Sequence, residues 1–253
     1  MLIYVFNNKF RFSYIINVTY TFKTSDVNYE IVGQGANCLV FLHGWGGEIN
    51  SFKFICKYLN FDFKALFIDF PPFGKSTEMQ SSWTIFDYAE LTLNIMRLEN
   101  IEKPIIIGHS FGGRVATLLA SKGHAKKLLL VDSAGLKPKR SLNYRLKVMC
   151  NKIKRAFGCK NIKGSKDYNE LSPIMKKTFV NIVSTFLDEY AININVPTII
   201  FWGKKDKDTP IYMAKRFKKL IKNSELIVVK QAGHFSYLDN LNLFVEIINY
   251  MAK

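Results

Sequence analysis

A strand, a tight turn and a helix are predicted by the consecutive residues Ile105-Ile106-Ile107-Gly108-His109-Ser110-Phe111-Gly112-Gly113. The three isoleucines predict a strand that is buried on both faces, and a helical pattern runs from Phe111 to Ala120. Between them lies Gly-x-Ser-x-Gly, a turn that exposes a serine hydroxyl at the carboxyl end of a strand. Glycines suit this turn because strand and helix approach closely there. We therefore expect Ser110 to be a nucleophile and the backbone N–H of Phe111 to be directed at an oxyanion.

Short apolar runs alternate with helical patterns on both sides of this stretch. The predicted strands are 27–32, 38–42, 65–68, 104–107, 127–131, 198–202 and 226–229. The predicted helices are 49–59, 84–98, 111–120, 210–219 and 240–251. This alternation predicts an α/β fold with a mostly parallel sheet covered by helices on both faces. Residues 1–22 are apolar and aromatic without the pattern of a signal peptide, so we interpret them as strand material at one sheet edge.

One segment interrupts the alternation. Residues 135–191 show helical spacing of apolar residues but no convincing strand. We therefore expect a small helical insertion, or cap, at 135–191, set into a core formed by residues 1–134 and 192–253.

A serine nucleophile needs a general base, and the chain has four histidines. His109 is expected to point away from Ser110, and His124 lies in a loop at the opposite sheet edge. His43 follows a strand at the correct edge, but it belongs to a glycine-rich loop. His234, in Ala-Gly-His-Phe after the last predicted strand, is the best candidate.

The histidine in turn needs an acid that orients it and stabilises its charged form. Three aspartates follow predicted strands late enough in the chain. Asp206 ranks first, Asp132 second and Asp208 third, because Ser110, Asp206 and His234 follow the chain order of nucleophile-elbow enzymes.

The second oxyanion donor is expected in the loop His43-Gly44-Trp45-Gly46-Gly47, directly after a buried strand. Glycines let backbone approach a ligand, and the N–H of Trp45 is the expected donor. His43, Gly44 and Gly46 are expected to support this loop. All these groups follow carboxyl ends of predicted strands, where open α/β sheets place their ligand sites.

Taken together, these motifs resemble the α/β-hydrolase superfamily, in its esterase-like branch with a helical cap. Further matching stretches are Asp69-Phe70-Pro71-Pro72-Phe73-Gly74-Lys75-Ser76 and Trp202-Gly203-Lys204-Lys205-Asp206. The resemblance implies an eight-stranded sheet, a cap after the sixth strand, and neither cofactor nor metal. A serine, not an aspartate, as nucleophile argues against a dehalogenase or an epoxide hydrolase.

The composition is that of a globular chain with a strongly positive charge. Its 253 residues carry a formal net charge of +16, and no Asp or Glu occurs between Lys137 and Lys166. This basic segment is interpreted first as a solvated helix face, and second as a surface for anionic substrates, lipids or nucleic acid. No nucleic-acid motif accompanies it, so no nucleic-acid partner is expected.

The chain is expected to be cytoplasmic, since it has neither an export signal nor an apolar run long enough to span a membrane. The four cysteines show no metal-type spacing and are expected to be free thiols.

The function predicted from these residues is hydrolysis of carboxylic esters of small to medium acyl groups through an acyl-enzyme. The same three residues are compatible with a carbon–carbon hydrolase, a thioesterase, a lactonase or a cofactor-free perhydrolase. A third alternative is a binding protein without turnover. Apolar cap residues are interpreted as an acyl pocket or as cap core: Tyr144, Met149, Met175 and Phe179.

Overall fold

A computed structural model of the chain describes residues 15–139 and 171–253. It contains one eight-stranded sheet with the strand order β1-β2-β4-β3-β5-β6-β7-β8. The strands are β1 Ile15–Phe22, β2 Ser25–Val32, β3 Asn37–Leu42, β4 Phe63–Ile68, β5 Ile105–His109, β6 Lys127–Val131, β7 Thr198–Gly203 and β8 Ser224–Val229. Strand β2 runs antiparallel to both of its neighbours, and all other pairs are parallel. The predicted α/β class and mostly parallel sheet are confirmed.

The helices between the strands also follow the predicted order. They are α1 Asn50–Lys53, α2 Ile85–Leu98, α3 Phe111–Ser121, α4 Pro173–Ser184, α5 Asp188–Ile192, α6 Tyr212–Leu220, α7 Ser236–Asp239 and α8 Leu241–Met251. The helix predicted over 49–59 is a single α-helical turn followed by a 3-10 helix, Phe54–Tyr58. Helices commonly tighten in this way at their ends. Within the described residues, no helix is long and apolar enough to cross a bilayer.

Two apolar layers cover the sheet. One layer includes Tyr88 of α2, Val115 of α3 and Phe217 of α6, and the other includes Phe52 of α1 and Phe244 of α8. All five side chains are almost completely buried. The central strands are therefore fixed on both faces, as their continuous apolar sequences predict.

The described carboxyl-terminal part of the predicted cap, residues 171–191, is largely helical, whereas residues 135–139 form a loop. Helices α4 and α5 occupy most of residues 171–191, and the N–H of Leu187 donates to the carbonyl of Gly135 at 2.9 Å. This bond joins the two ends of the predicted insertion. Residues 140–170, with Tyr144, Met149 and most of the basic segment, lie outside the described residues, as do residues 1–14. The cap boundaries stay a prediction.

Close contact between α3 and the sheet explains the second glycine of the Gly-x-Ser-x-Gly turn. A Cβ atom added at Gly112 would lie 2.1 Å from the carbonyl oxygen of Leu42, at the end of β3. Helix α3 can therefore approach β3 only because position 112 has no side chain. This approach sets the start of α3, and with it the place of Ser110.

We predict that Gly112→Ala lowers the free energy of unfolding by about 1–3 kcal/mol, because overpacking against backbone forces α3 to shift. Urea unfolding followed by circular dichroism measures the change. Gly233→Ala is the matched control, since a Cβ added there meets no heavy atom within 4 Å. Equal stability of the two variants would contradict the packing argument.

Candidate active site

The site lies at the carboxyl edge of the sheet, where loops from four parallel strands meet. The loop after β3 carries Trp45, the turn after β5 carries Ser110, and the loops after β7 and β8 carry Asp206 and His234. These strands are neighbours in the order β3-β5-β6-β7-β8. Groups far apart in sequence therefore converge because parallel strands end at the same edge.

Ser110 occupies a backbone conformation that few side-chain-bearing residues adopt. Its φ is 50° and its ψ is −108°. Its N–H donates to the carbonyl of Val131 at 3.0 Å, and its carbonyl accepts from the N–H of Ala134 at 3.0 Å. Such a conformation costs on the order of 1–3 kcal/mol and persists only where the surroundings enforce it. Here, two bonds to the end of β6 and the loop that follows enforce it.

A continuous hydrogen-bonded chain joins the predicted base, acid and nucleophile. His234 Nε2 lies 3.0 Å from Ser110 Oγ, and His234 Nδ1 lies 2.8 Å from Asp206 Oδ2. Burial lowers the pKa of His234, but the hydrogen bond to Asp206 and its negative charge outweigh burial and raise the pKa overall. The imidazole is thus oriented with Nδ1–H toward the carboxylate and a free lone pair on Nε2 toward the serine.

Thr209 holds the acid and was not found by sequence reasoning. The N–H of Thr209 donates to Asp206 Oδ1 at 2.9 Å, and its hydroxyl lies 2.6 Å from Oδ2. Although burial raises the pKa of Asp206, the bonds from His234 and Thr209 lower it overall, so the carboxylate stays ionised. The signal in the sequence was the spacing Asp-x-x-Thr, in which a side chain accepts from backbone three residues on.

The other two candidate acids have different surroundings. Asp132 is fully buried, and its carboxylate accepts from the N–H of Gly203 at 2.8 Å and from the N–H of Ser236 at 3.0 Å. Burial raises the pKa of Asp132 to about 7. Through its bonds to Gly203 and Ser236, Asp132 connects the loop that carries Asp206 to the loop that carries His234. Asp208 is exposed, and its backbone N–H donates to Asp206 Oδ1 at 2.8 Å.

His109 and His43 support the loops from buried positions. His109 Nε2 donates to the carbonyl of His234 at 2.8 Å, and burial lowers the pKa of His109 to about 4. His43 accepts from the N–H of Phe70 at 2.9 Å through Nε2 and donates to the carbonyl of Gly44 at 2.7 Å through Nδ1. Burial also lowers the pKa of His43. Both rings are therefore held neutral by burial and hydrogen-bonded to backbone. The supporting role of His43 in its loop stays a prediction.

The glycine-rich loop lies directly against the serine. A Cβ added at Gly44 would lie 2.8 Å from His109 Nδ1 and 3.5 Å from Ser110 Cβ, so a larger residue would displace the loop. Gly46 has a φ of 76°, which favours glycine. Within residues 15–139 and 171–253, no acceptor is found for the backbone N–H of Trp45 or Phe111. In this described part of the chain, the two N–H groups predicted as oxyanion donors are therefore available to a ligand.

A cavity of about 860 Å³ opens above Ser110. Much of its described wall is apolar and comes from both ends of the predicted cap and from α6: Leu136, Pro138, Phe179, Val183, Phe186 and Met213. Phe179 of α4 also packs edge-on against Trp45, with ring centroids 5.4 Å apart. The described end of the cap therefore contributes to the wall that a bound acyl group would contact.

Among the described side chains, one group of three could supply ligand atoms to a metal ion: Asp206, Asp208 and His234. Of these side chains, Asp206 is hydrogen-bonded to His234 Nδ1, and His234 Nε2 lies within hydrogen-bond distance of Ser110 Oγ. Both ring nitrogens of His234 are therefore already engaged in hydrogen bonds, and we assign no metal role to the group.

Comparisons with known proteins agree with this fold. A family model described as alpha/beta hydrolase fold matches residues 37–149 and 154–241. A pimeloyl-[acyl-carrier protein] methyl ester esterase of Wigglesworthia glossinidia brevipalpis is 25% identical, over 89% of this chain and 97% of its own length. The hydrolase YugF of Bacillus subtilis is 24% identical, over 85% of this chain and 90% of its own. The structure of an esterase from Exiguobacterium antarcticum superposes with a TM-score of 0.72 at 20% identity, over 90% of this chain and 96% of that one.

We predict that the histidines titrate separately. His234 should titrate above its ordinary pKa of about 6.5, because Asp206 stabilises the imidazolium, whereas His109 should stay neutral to about pH 4. Heteronuclear NMR of the imidazole nitrogens measures both. In Asp206→Asn the midpoint of His234 should fall. A His109 midpoint at or above that of His234 would contradict the described environments.

Proposed function

We propose that this chain, which belongs to the α/β-hydrolase fold family, is a serine hydrolase that cleaves carboxylic esters through an acyl-enzyme. Family membership agrees with the resemblance seen in the sequence motifs, and its relatives are named esterases and hydrolases. The observation that carries the proposal is the chain of contacts from Asp206 through His234 to the hydroxyl of Ser110 at the floor of the cavity.

In the first step, Ser110 Oγ attacks the ester carbonyl carbon. His234 Nε2 takes the proton of the hydroxyl, and the new bond between Oγ and carbon pushes the carbonyl electrons onto oxygen. The ionised Asp206 stabilises the imidazolium that forms. The bond between carbon and the alcohol oxygen then breaks, and His234 returns the proton to the departing alcohol.

The charge on the carbonyl oxygen is stabilised by backbone donors. Among the described residues the N–H groups of Trp45 and Phe111 have no acceptor, and the Phe111 group is at the amino end of α3, next to Ser110 in sequence. Donors held rigidly in a site that excludes water act strongly on developing charge, and one such donor contributes about 10²–10³ in rate.

In the second step, water releases the acyl group. His234 takes a proton from the water while the hydroxide adds to the acyl carbon, and the bond to Ser110 Oγ breaks as His234 returns the proton to the serine. The products are the free acid, the alcohol and regenerated enzyme.

Two observations support a class of substrate: the apolar wall of the cavity and the name of one relative. An apolar wall formed by Leu136, Phe179 and Val183 favours an alkyl acyl group of small to medium size. The relative from Wigglesworthia is named a methyl ester esterase. A simple alkyl ester is therefore the substrate that we propose.

We predict that a fluorophosphonate probe labels the wild type at Ser110 and that Ser110→Ala abolishes labelling, since the phosphorus is attacked in place of the carbonyl carbon. Peptide mass spectrometry locates the adduct. Ser121→Ala, at the far end of α3, is the matched control and should label normally. Labelling of folded Ser110→Ala at the wild-type rate would overturn the proposal.

We predict that Asp206→Asn lowers kcat on a methyl ester by about 10³–10⁴, because the imidazole loses its orientation and the stabilisation of its charged form. Asp208→Asn removes the same charge two residues away and should reduce kcat by no more than a few-fold, since its exposed carboxylate leaves His234 bonded to Asp206. Steady-state kinetics on both variants measure the difference. If Asp208→Asn were the more damaging change, the acid would be wrongly assigned.

A further inference from the structure

A buried arginine lies in the wall of the cavity, one helical turn beyond the serine. Arg114 is only 7% exposed and lines the same cavity as Ser110. It is the one charged residue of α3 (FGGRVATLLAS), whose other side chains are apolar or small. Four residues of helix advance about 6 Å along the axis. Arg114 thus contributes to the cavity wall about one turn of α3 away from Ser110.

The hydrogen bonds of Arg114 account for only part of its guanidinium. Nη1 donates to the carbonyls of Ile182 and Thr185, both at 2.9 Å, at the carboxyl end of α4. In the parts of the chain that the structure describes, no carboxylate pairs with Arg114, and no acceptor is found for its other nitrogens. Burial lowers the pKa of Arg114 to about 10, so the group stays charged at neutral pH.

A buried cation with spare donors and no counter-ion favours an anionic ligand. Burying a charge without a partner is costly, and a planar guanidinium pairs best with a carboxylate through parallel hydrogen bonds. The net charge of +16 attracts anions to the protein as a whole. Among the described residues that line the cavity, the carboxylate is that of Asp208, in the loop of Asp206 beside His234, and the guanidinium is that of Arg114.

We propose that Arg114 binds a carboxylate at the far end of the acyl group, so that the preferred substrates are monoesters of short dicarboxylic acids. This inference rests on the proposed ester hydrolysis. Because Ser110 and Arg114 line one cavity and are separated by about one turn of helical backbone, the proposal is limited to short acyl chains of about four to six carbons. Arg114 thereby selects the substrate, while Ser110, His234 and Asp206 carry out its hydrolysis.

The test compares two esters that differ in one charge. Monomethyl glutarate ends in a carboxylate, and methyl glutaramate has the same shape with a neutral amide. Wild-type kcat/KM, measured by chromatography of the released acids, should favour the charged ester by about tenfold or more, mainly through KM, because charge-assisted hydrogen bonds form with Arg114.

Variants assign this preference to one residue. In Arg114→Gln the ratio of the two kcat/KM values should fall to about one, and Arg114→Lys should retain an intermediate ratio because it keeps the charge without the planar fork. Arg97→Gln removes an exposed positive charge from α2 and should leave the ratio unchanged. Using a ratio separates recognition of the carboxylate from any effect of losing the bonds to Ile182 and Thr185.

Each outcome decides the proposal. The proposal is wrong if the wild type hydrolyses both esters without preference, or if Arg114→Gln lowers kcat/KM equally for both. Either result would leave ester hydrolysis intact, and Arg114 would then serve only to hold the end of α4. If neither ester is hydrolysed, calorimetry with glutarate decides the matter. Binding to the wild type that Arg114→Gln abolishes and Arg97→Gln preserves would support the anion site, and absence of binding would reject it.

Discussion

The backbone of Ser110 is the constraint on which the rest of the site depends. A φ of 50° at a residue with a side chain is tolerated because β5, β6 and α3 are packed rigidly around the turn. Glycine at 112 lets α3 lie against β3, and the bonds from Ser110 to Val131 and Ala134 fix the turn to the neighbouring strand. The core thus holds the hydroxyl toward the cavity in a position that a flexible loop could not maintain.

Buried polar groups then adjust the other loops to that fixed point. Asp132 accepts from the backbone of Gly203 and Ser236, and His109 donates to the carbonyl of His234. These bonds are made to the backbone of the loops that carry Asp206 and His234. The distances of 2.8 Å between Asp206 and His234 and of 3.0 Å between His234 and Ser110 are consequently set by several buried contacts, and loss of one such contact is expected to loosen more than one loop.

Much of this arrangement could be predicted from the sequence, because strand order and the glycine-rich turns are local signals. Ser110, His234 and Asp206 were predicted from their places after apolar strands. Thr209 and Arg114 were not. The Asp-x-x-Thr spacing of Asp206 and Thr209 is local but common to ordinary turns, whereas Arg114 meets the end of α4 only when distant segments fold together. Strand β8 begins at polar Ser224, two residues before its apolar run, because a ladder of backbone hydrogen bonds needs no apolar side chain.

The most direct test of this account is to trap the acyl group on the enzyme. Wild-type protein mixed with an activated ester such as p-nitrophenyl butyrate is quenched in acid within milliseconds and digested for mass spectrometry. We expect a butyryl group on the peptide that contains Ser110, formed in step with a burst of p-nitrophenol of about one equivalent. Rapid turnover of the ester with the acyl group on a different residue would contradict the assignment of Ser110 as the nucleophile.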